Sequence, residues 1–196
     1  MNIYAETPRI LRETAAGYTT FEVVDEMFHN RELECVGEIN DQSVYSLCRQ
    51  LRHLQQEDPE GEITLYINSP GGEVSSGLAL YDVMQAISCP IRTVCLGKAA
   101  SMGAILFAAG DKREILPHGE VMIHDPLIYG GVGGSALSVQ ETSRQLLKTR
   151  QTLGDILARH TGKSRQEIYR KTAKNTWFSA EEAVSFGLAD RVINKL

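Results

Sequence analysis

The sequence predicts an α/β domain, and three features of its middle part carry the prediction. Residues 63–68 and 91–96 are rich in β-branched side chains, as buried strands are. Between them, residues 75–87 repeat apolar side chains at helical spacing, and short turns separate the three segments. This strand–helix–strand order is typical of parallel strands joined by helices that cover one sheet.

Similar patterns place the other elements in chain order. We expect a helical face at 23–27, a strand at 33–39 and a helix at 41–55 with Asp41 as its N-cap. A small-residue helix at 102–109, short strands at 114–116 and 121–123, and a long helix at 135–160 before Gly162 follow. Ser164 with Glu167, and Ser179 with Glu182, have the spacing of capping boxes that begin two short helices, and residues 192–193 form a last strand.

Length and composition are those of one globular domain: 196 residues, of which 42% are hydrophobic. We expect this domain over 21–196, after a partly mobile segment at 1–20 with weak periodicity. The net charge of −5 gives no basic surplus for nucleic acid or an anionic membrane, and no apolar run could span a bilayer. The N-terminus lacks the features of a secretory signal. Four cysteines without a CxxC pair predict free thiols in the cytoplasm and no metal site.

Two segments at strand ends carry residues that suit chemistry. Ser-Pro-Gly-Gly at 69–72 ends a predicted strand, where glycine lets a ligand approach the main chain; a tight turn is the alternative. Ser101 follows a strand and small residues at 97–100 and begins a helix. There its hydroxyl can act as a nucleophile beside backbone N–H groups that hold an oxyanion, although the segment does not match GxSxG; a helix N-cap is the alternative.

A third segment ends in a histidine. His124 follows the apolar strand 121–123 and precedes Asp-Pro, where it can be a general base or a hydrogen-bonded structural residue. Parallel strands bring their carboxyl ends to one edge of a sheet, so the three segments are expected to meet. A serine nucleophile, a histidine base and a glycine-rich oxyanion hole form a coherent set for acyl transfer.

These motifs, in this order, closely resemble the proteolytic subunit of the Clp protease family. The matching runs are Ile-Asn-Ser-Pro-Gly-Gly at 67–72, Gly-Lys-Ala-Ala-Ser-Met-Gly-Ala at 97–104, Val-Met-Ile-His-Asp-Pro at 121–126 and His-Thr-Gly at 160–162. The likeness extends over about residues 8–193. It implies a crotonase-like spiral of ββα units, with a projecting handle at about 127–160, a strand beside the handle at 130–134 and an axial position for residues 1–20.

The resemblance also implies an assembly. In the family, heptameric rings stack in pairs as a tetradecamer around a closed chamber that the serine sites face. AAA+ unfoldases dock on the outer faces and feed unfolded polypeptide inward. The proteolytic subunit itself needs no cofactor, because ATP is used by the unfoldase.

By matching motifs, the resemblance assigns Ser101 as the nucleophile and His124 as the general base. The backbone N–H groups of Gly72 and Met102 would form the oxyanion hole. The residues beside an extended substrate would be Glu73, Val74 and Leu127. Main-chain hydrogen bonds to such a substrate tolerate many sequences.

The chain departs from the family at the third catalytic position. Where the family has an Asp, counting from either flank gives Asn175, and Lys174 replaces an Arg that is used in ring contacts. An Asn can accept a hydrogen bond from the imidazole but carries no charge. In serine proteases with a Ser-His-Asp triad, the same exchange lowers kcat roughly 10⁴-fold. We therefore expect weak activity unless the assembly compensates.

The outer cleft that receives the unfoldase loop also departs from the family, where it is rich in aromatic residues. Its matching positions here are Thr64, Tyr66, Ala86 and Glu114. Because aromatic anchors dominate such contacts, the change predicts weak docking.

The sequence therefore favours a serine endopeptidase subunit that is attenuated alone and assembles with a paralogous subunit in a mixed barrel. A catalytically silent structural or regulatory subunit of such a barrel is the second hypothesis. The third is a crotonase-fold acyl-CoA enzyme with a shared oxyanion hole. The spacing of Ser101 and His124 is against the third, because crotonase-type sites generally use carboxylates.

Overall fold

The computed structural model describes residues 8–15 and 17–196. The part of the predicted axial segment at 1–7 and 16 lies outside them. The chain begins with an antiparallel hairpin, β1 (Arg9–Thr14) and β2 (Gly17–Glu22), which leads into helix α1 (Val23–His29).

The main body is one sheet with helices around it, which confirms the predicted α/β class. Its strands are β3 (Glu32–Ile39), β4 (Ile63–Gly72), β5 (Ile91–Ala100), β6 (Lys112–Ile115), β7 (Glu120–Ile123), β8 (Thr176–Phe178) and β9 (Arg191–Val192). Its helices are α2 (Asp41–Glu57), α3 (Val74–Ala86), α4 (Met102–Ala108), α5 (Ala136–Thr161), α6 (Arg165–Thr172) and α7 (Ala180–Phe186). No helix within the described ranges has the length and apolar character needed to cross a bilayer.

Strand β5 changes its partner along its length, and this change positions the site. The order β3-β4-β5-β6-β9 is parallel, and Arg92–Cys95 of β5 pair with β6. Further along, Lys98–Ala100 pair in parallel with β7 instead. Strand β8 then pairs antiparallel with β7. The carboxyl ends of β4, β5 and β7 therefore open on the same region.

The core lies between the sheet and its helices. Helix α4 is buried along its whole length, because it consists of small and apolar residues, and it contacts β4, β5 and α5. Helix α2 buries an apolar face formed by Val44, Leu47, Leu51 and Leu54. The long helix α5 buries Leu153, Gly154, Ile156 and Leu157, whereas most of its first half is exposed.

Several boundaries differ from the predicted ones. The N-cap of α2 is Asn40 and not Asp41, because the Asn40 side chain accepts a hydrogen bond from Ser43 N at 3.1 Å. Strands β4 and β5 run on to Gly72 and Ala100, since their final residues pair with β3 and β7. Residues 69–72 are thus a strand end and not a tight turn.

Other caps match the sequence better. Helix α5 has Ser135 as its N-cap and ends at Gly162, whose φ of 71° is left-handed. The capping box of Ser179 and Glu182 forms in full, and Ser164 accepts a hydrogen bond from the N–H of its partner residue. Residues 130–134 are turn and irregular chain rather than the strand that the resemblance implies, because three of their four glycines have positive φ.

We expect Gly72→Ala to destabilise the protein strongly. The φ of Gly72 is +155°, and a Cβ added there would lie 2.1 Å from the Ile39 carbonyl oxygen. Chain strain and displacement of β3 should together lower the free energy of unfolding by at least about 2 kcal/mol. Denaturant unfolding would measure it. Gly133→Ala is the matched control, because no atom lies within 4 Å of its added Cβ. Equal stability of the two variants would contradict the prediction.

Candidate active site

Ser101 occupies the junction of β5 and α4 in an unusual backbone conformation. Its φ is 56° and its ψ −121°, in a region that residues with a Cβ rarely adopt. Its backbone N–H donates to the Met122 carbonyl at 2.8 Å and so fastens the turn to β7. A strained strand-to-helix turn of this kind is how nucleophilic serines are presented on other α/β folds.

The Ser101 hydroxyl contacts His124 and does not cap the helix. Nε2 of His124 lies 2.9 Å from Oγ of Ser101. Although Ser101 is the N-cap residue of α4, its side chain makes no capping hydrogen bond. The Ser101 hydroxyl therefore contacts a possible base instead of capping the helix. Proton transfer from the hydroxyl requires such a contact.

The pKa of His124 is lowered from its ordinary value. Burial is the main cause, because it disfavours the charged imidazolium. The charge of Asp125 and a hydrogen bond that the imidazole donates to the backbone of the same residue act in the opposite direction. The net shift keeps the imidazole neutral at neutral pH, which is the form that can accept a proton.

The glycines at the end of β4 approach the serine closely. Gly71 has a φ of +95°, and a Cβ there would lie 2.6 Å from the Cβ of Ser101 and 3.0 Å from the Met102 nitrogen. Met102 is the first residue of α4, so its N–H has no acceptor within the helix. Gly72 and Met102 both line the same cavity as Ser101.

Asn175 lies beside His124 without holding it. Ile123 of β7 is opposite Thr176 of β8, so one more step along this antiparallel register brings Asn175 opposite His124. Asn175 also lines the cavity, but it is exposed. Within residues 8–15 and 17–196, the hydrogen bond of the imidazole to another side chain is the one to Ser101.

The cavity has a volume of about 700 Å³ and is bounded by all the residues that the resemblance assigns to catalysis and substrate. Its apolar wall includes Met102, Ile105, Leu153 and Leu157. Glu73, Val74 and Leu127 lie on its rim. The Glu73 carboxylate accepts hydrogen bonds from Ser75 at 2.6 Å and Ser76 at 2.9 Å. No cluster of His, Cys, Asp and Glu suited to a metal ion occurs in the described part of the chain.

The residues matched to the docking cleft lie outside this cavity, and one of them is a buried carboxylate. Glu114 is 2% exposed and pairs with Arg92 and Arg191. Burial would raise the pKa of Glu114, and the two arginines more than offset it, so the pKa lies below its usual range. Tyr66 is buried on β4, which β5 separates from β6, and its hydroxyl lies 3.4 Å from Glu32. Thr64 is partly exposed, and Ala86, the last residue of α3, is exposed.

One group of contacts near His124 is not visible from the motifs. Asp125, the next residue, is bound by Arg150 of α5 and Thr172 of α6. In the sequence, the Asp-Pro pair after the histidine is the one feature that could have drawn attention to Asp125. Its partners lie far along the chain, so their proximity depends on the packing of α5 and α6.

A serine hydroxyl 2.9 Å from a neutral histidine, at the carboxyl edge of a largely parallel sheet, is the arrangement that serine hydrolases use. The match to known families is specific. The family model described as Clp protease matches residues 15–196, nearly the whole chain, and the chain therefore belongs to the Clp protease family. The resemblance found from the motifs is confirmed.

Proposed function

We propose that this chain is a serine endopeptidase subunit of a barrel-shaped, ATP-dependent protease that degrades unfolded proteins. The observation that carries the proposal is the contact of 2.9 Å between Ser101 Oγ and His124 Nε2 in a member of the Clp protease family. Acyl transfer needs a nucleophile and a base at this distance.

The residues around the cavity define the steps. His124 accepts the Ser101 proton while Oγ attacks the peptide carbonyl, and the N–H groups of Gly72 and Met102 stabilise the oxyanion. The imidazolium then gives its proton to the leaving amine. Water, activated by the same histidine, hydrolyses the acyl-enzyme and restores the serine.

Asn175 weakens this machinery in the isolated subunit. A triad acid orients the imidazole and stabilises its charged form, and a neutral amide does neither as well. The exposed position of Asn175 supports the expectation of low activity. The same observation favours the second candidate function, a catalytically silent structural or regulatory subunit in a mixed barrel with a paralogous partner.

The proposed assembly is the family's: heptameric rings stacked as a tetradecamer, served by an AAA+ unfoldase in the cytoplasm. Exposed apolar side chains on and before α5 support burial against another subunit, since Tyr129 is 90% exposed, Leu137 76% and Leu147 62%. ATP would be used by the unfoldase, and the proteolytic subunit would need no cofactor.

We expect the purified protein to hydrolyse a short fluorogenic peptide slowly, and Ser101→Ala to abolish this turnover. Short peptides reach the chamber without an unfoldase, so the assay isolates the site itself. Turnover that survives in Ser101→Ala would contradict the assignment of the nucleophile. Equal, zero rates in both proteins would support the silent subunit, and mixing with a paralogous subunit would be the next measurement.

Asn175→Asp should raise kcat by orders of magnitude if the missing charge limits catalysis. The increase should not exceed roughly 10⁴-fold, which is the effect of the reverse exchange in serine proteases with a Ser-His-Asp triad. Peptide hydrolysis with size-exclusion chromatography separates chemistry from assembly. Asn194→Asp is the matched control, because it adds the same charge at an exposed asparagine that does not line the cavity. A rate that does not increase would show that geometry or ring state, and not charge, is limiting.

A hydrophobic unfoldase-loop peptide should bind poorly to barrels of this chain alone. The cleft positions present a buried ion-pair cluster around Glu114 in place of aromatic anchors, each of which contributes about 2 kcal/mol or more at a typical hot spot. Fluorescence anisotropy would measure the affinity, with a peptide whose apolar residues are changed to Ala as control. Binding at micromolar Kd or tighter would refute the prediction.

A further inference from the structure

We propose that Asp125 is a positioning residue for the general base His124, and that Arg150 and Thr172 fix Asp125 for this purpose. The inference rests on the proposed peptidase function and extends it to residues outside the catalytic set. It gives the imidazole a charged neighbour in a site whose third residue is neutral.

Asp125 is held by three hydrogen bonds from two helices. Its backbone N–H donates to the Thr172 carbonyl at 2.7 Å, and the Thr172 hydroxyl donates to Oδ1 at 2.5 Å. Arg150 Nε donates to Oδ2 at 2.6 Å. Both carboxylate oxygens and the amide of Asp125 are therefore engaged, which leaves the side chain one orientation.

The two partners are themselves anchored. The Arg150 guanidinium lies 4.0 Å above the ring of Tyr169, a second contact between α5 and α6. Thr172 is 5% exposed and is the last residue of α6. The clamp formed by Asp125, Arg150 and Thr172 thus ties the end of β7 to both helices.

This clamp lies where it can control the imidazole. His124 is bounded on one side by β7 and on the other by the clamped Asp125. Thr172 ends α6 directly before the short connection to Asn175 and β8, so the clamp also ties the end of β7 to the segment that leads into β8. Because Asn175 does not hold the imidazole, the backbone on either side of His124 must do so.

The clamp also sets the electrostatics of the base. The titratable groups that line the cavity around His124 are Glu38, Glu73, Asp125, Tyr129 and Arg150. Of these, the charge of Asp125 raises the pKa of His124 against the effect of burial. Arg150 neutralises part of that charge by its ion pair. Removal of Asp125 and removal of Arg150 should therefore move the pKa of His124 in opposite directions.

The test compares Asp125→Asn and Arg150→Gln with Arg165→Gln. Arg165 pairs with Asp155 and so also joins α6 to α5, but neither residue lines the cavity. Peptide hydrolysis is measured against pH. Asp125→Asn should lower kcat roughly 10- to 100-fold with little change in KM, as small displacements of a catalytic group do.

The pH profile separates positioning from general stability. The base must be neutral, so kcat/KM rises with pH through the pKa of His124. This rise is the acidic limb of the pH profile of kcat/KM. It should move to lower pH in Asp125→Asn, because a charge that raises the pKa of His124 is lost, and to higher pH in Arg150→Gln. It should not move in Arg165→Gln. Arg150→Lys, which keeps the charge, should restore most of the limb's position.

Titration of His124 by NMR of histidine-labelled protein follows the same shifts without turnover. The pKa of His124 could shift in opposite directions in Asp125→Asn and Arg150→Gln while the protein hydrolyses no peptide. This result would uphold the positioning role and reject the proposed activity. A second outcome would overturn the positioning role alone. In it, peptide hydrolysis depends on Ser101, but Asp125→Asn and Arg150→Gln have the same kcat and pH profile as Arg165→Gln. If Asp125→Asn does not assemble, the pH profile of Arg150→Gln is the decisive measurement. An acidic limb of kcat/KM at the same pH as in the unmodified protein would then overturn the proposal.

Discussion

The pairing of β7 with the second half of β5 is the contact on which the site depends. Lys98–Ala100 pair with β7, and the Ser101 N–H continues the ladder to the Met122 carbonyl. Serine and histidine therefore end adjacent parallel strands and meet at hydrogen-bonding distance. Without the change of partner along β5, β6 would occupy this place and His124 would lie elsewhere.

The positive φ of Ser101 costs free energy, and the surrounding structure holds it. Helix α4 is entirely buried against β4, β5 and α5, so the residue before it has no room to relax. Gly71 must be a glycine for the same reason, because any side chain would overlap the serine. Ser101 therefore has the tightly packed helix α4 on one side and the cavity on the other.

The carboxylate nearest to His124 is not at the position where the motifs predict one. The position expected to carry a carboxylate holds a neutral amide, while a carboxylate one residue beyond the histidine is bound by an arginine and a threonine. On β6, another carboxylate, Glu114, is buried between two arginines at a position that the motif resemblance assigns to a docking cleft. In both places an ion pair fixes neighbouring elements, and in the first it does so next to His124.

The sequence by itself determined the class of fold, the order of most elements and the pair Ser101 and His124, because periodicity and strand-end motifs are local signals. It did not indicate the hairpin β1–β2 or strand β8. It also predicted Asn175 as the third catalytic position from its spacing to flanking motifs, and this assignment stays a prediction. It misjudged Asp41 as an N-cap and left open whether residues 69–72 form a turn or a strand end, because neighbouring strands and side chains decide such boundaries. Only the tertiary structure decided that Glu114 is neutralised by Arg92 and Arg191, and that Asp125 is clamped from α5 and α6. These contacts join residues far apart in the chain, and no local pattern encodes which distant side chain will meet a buried charge.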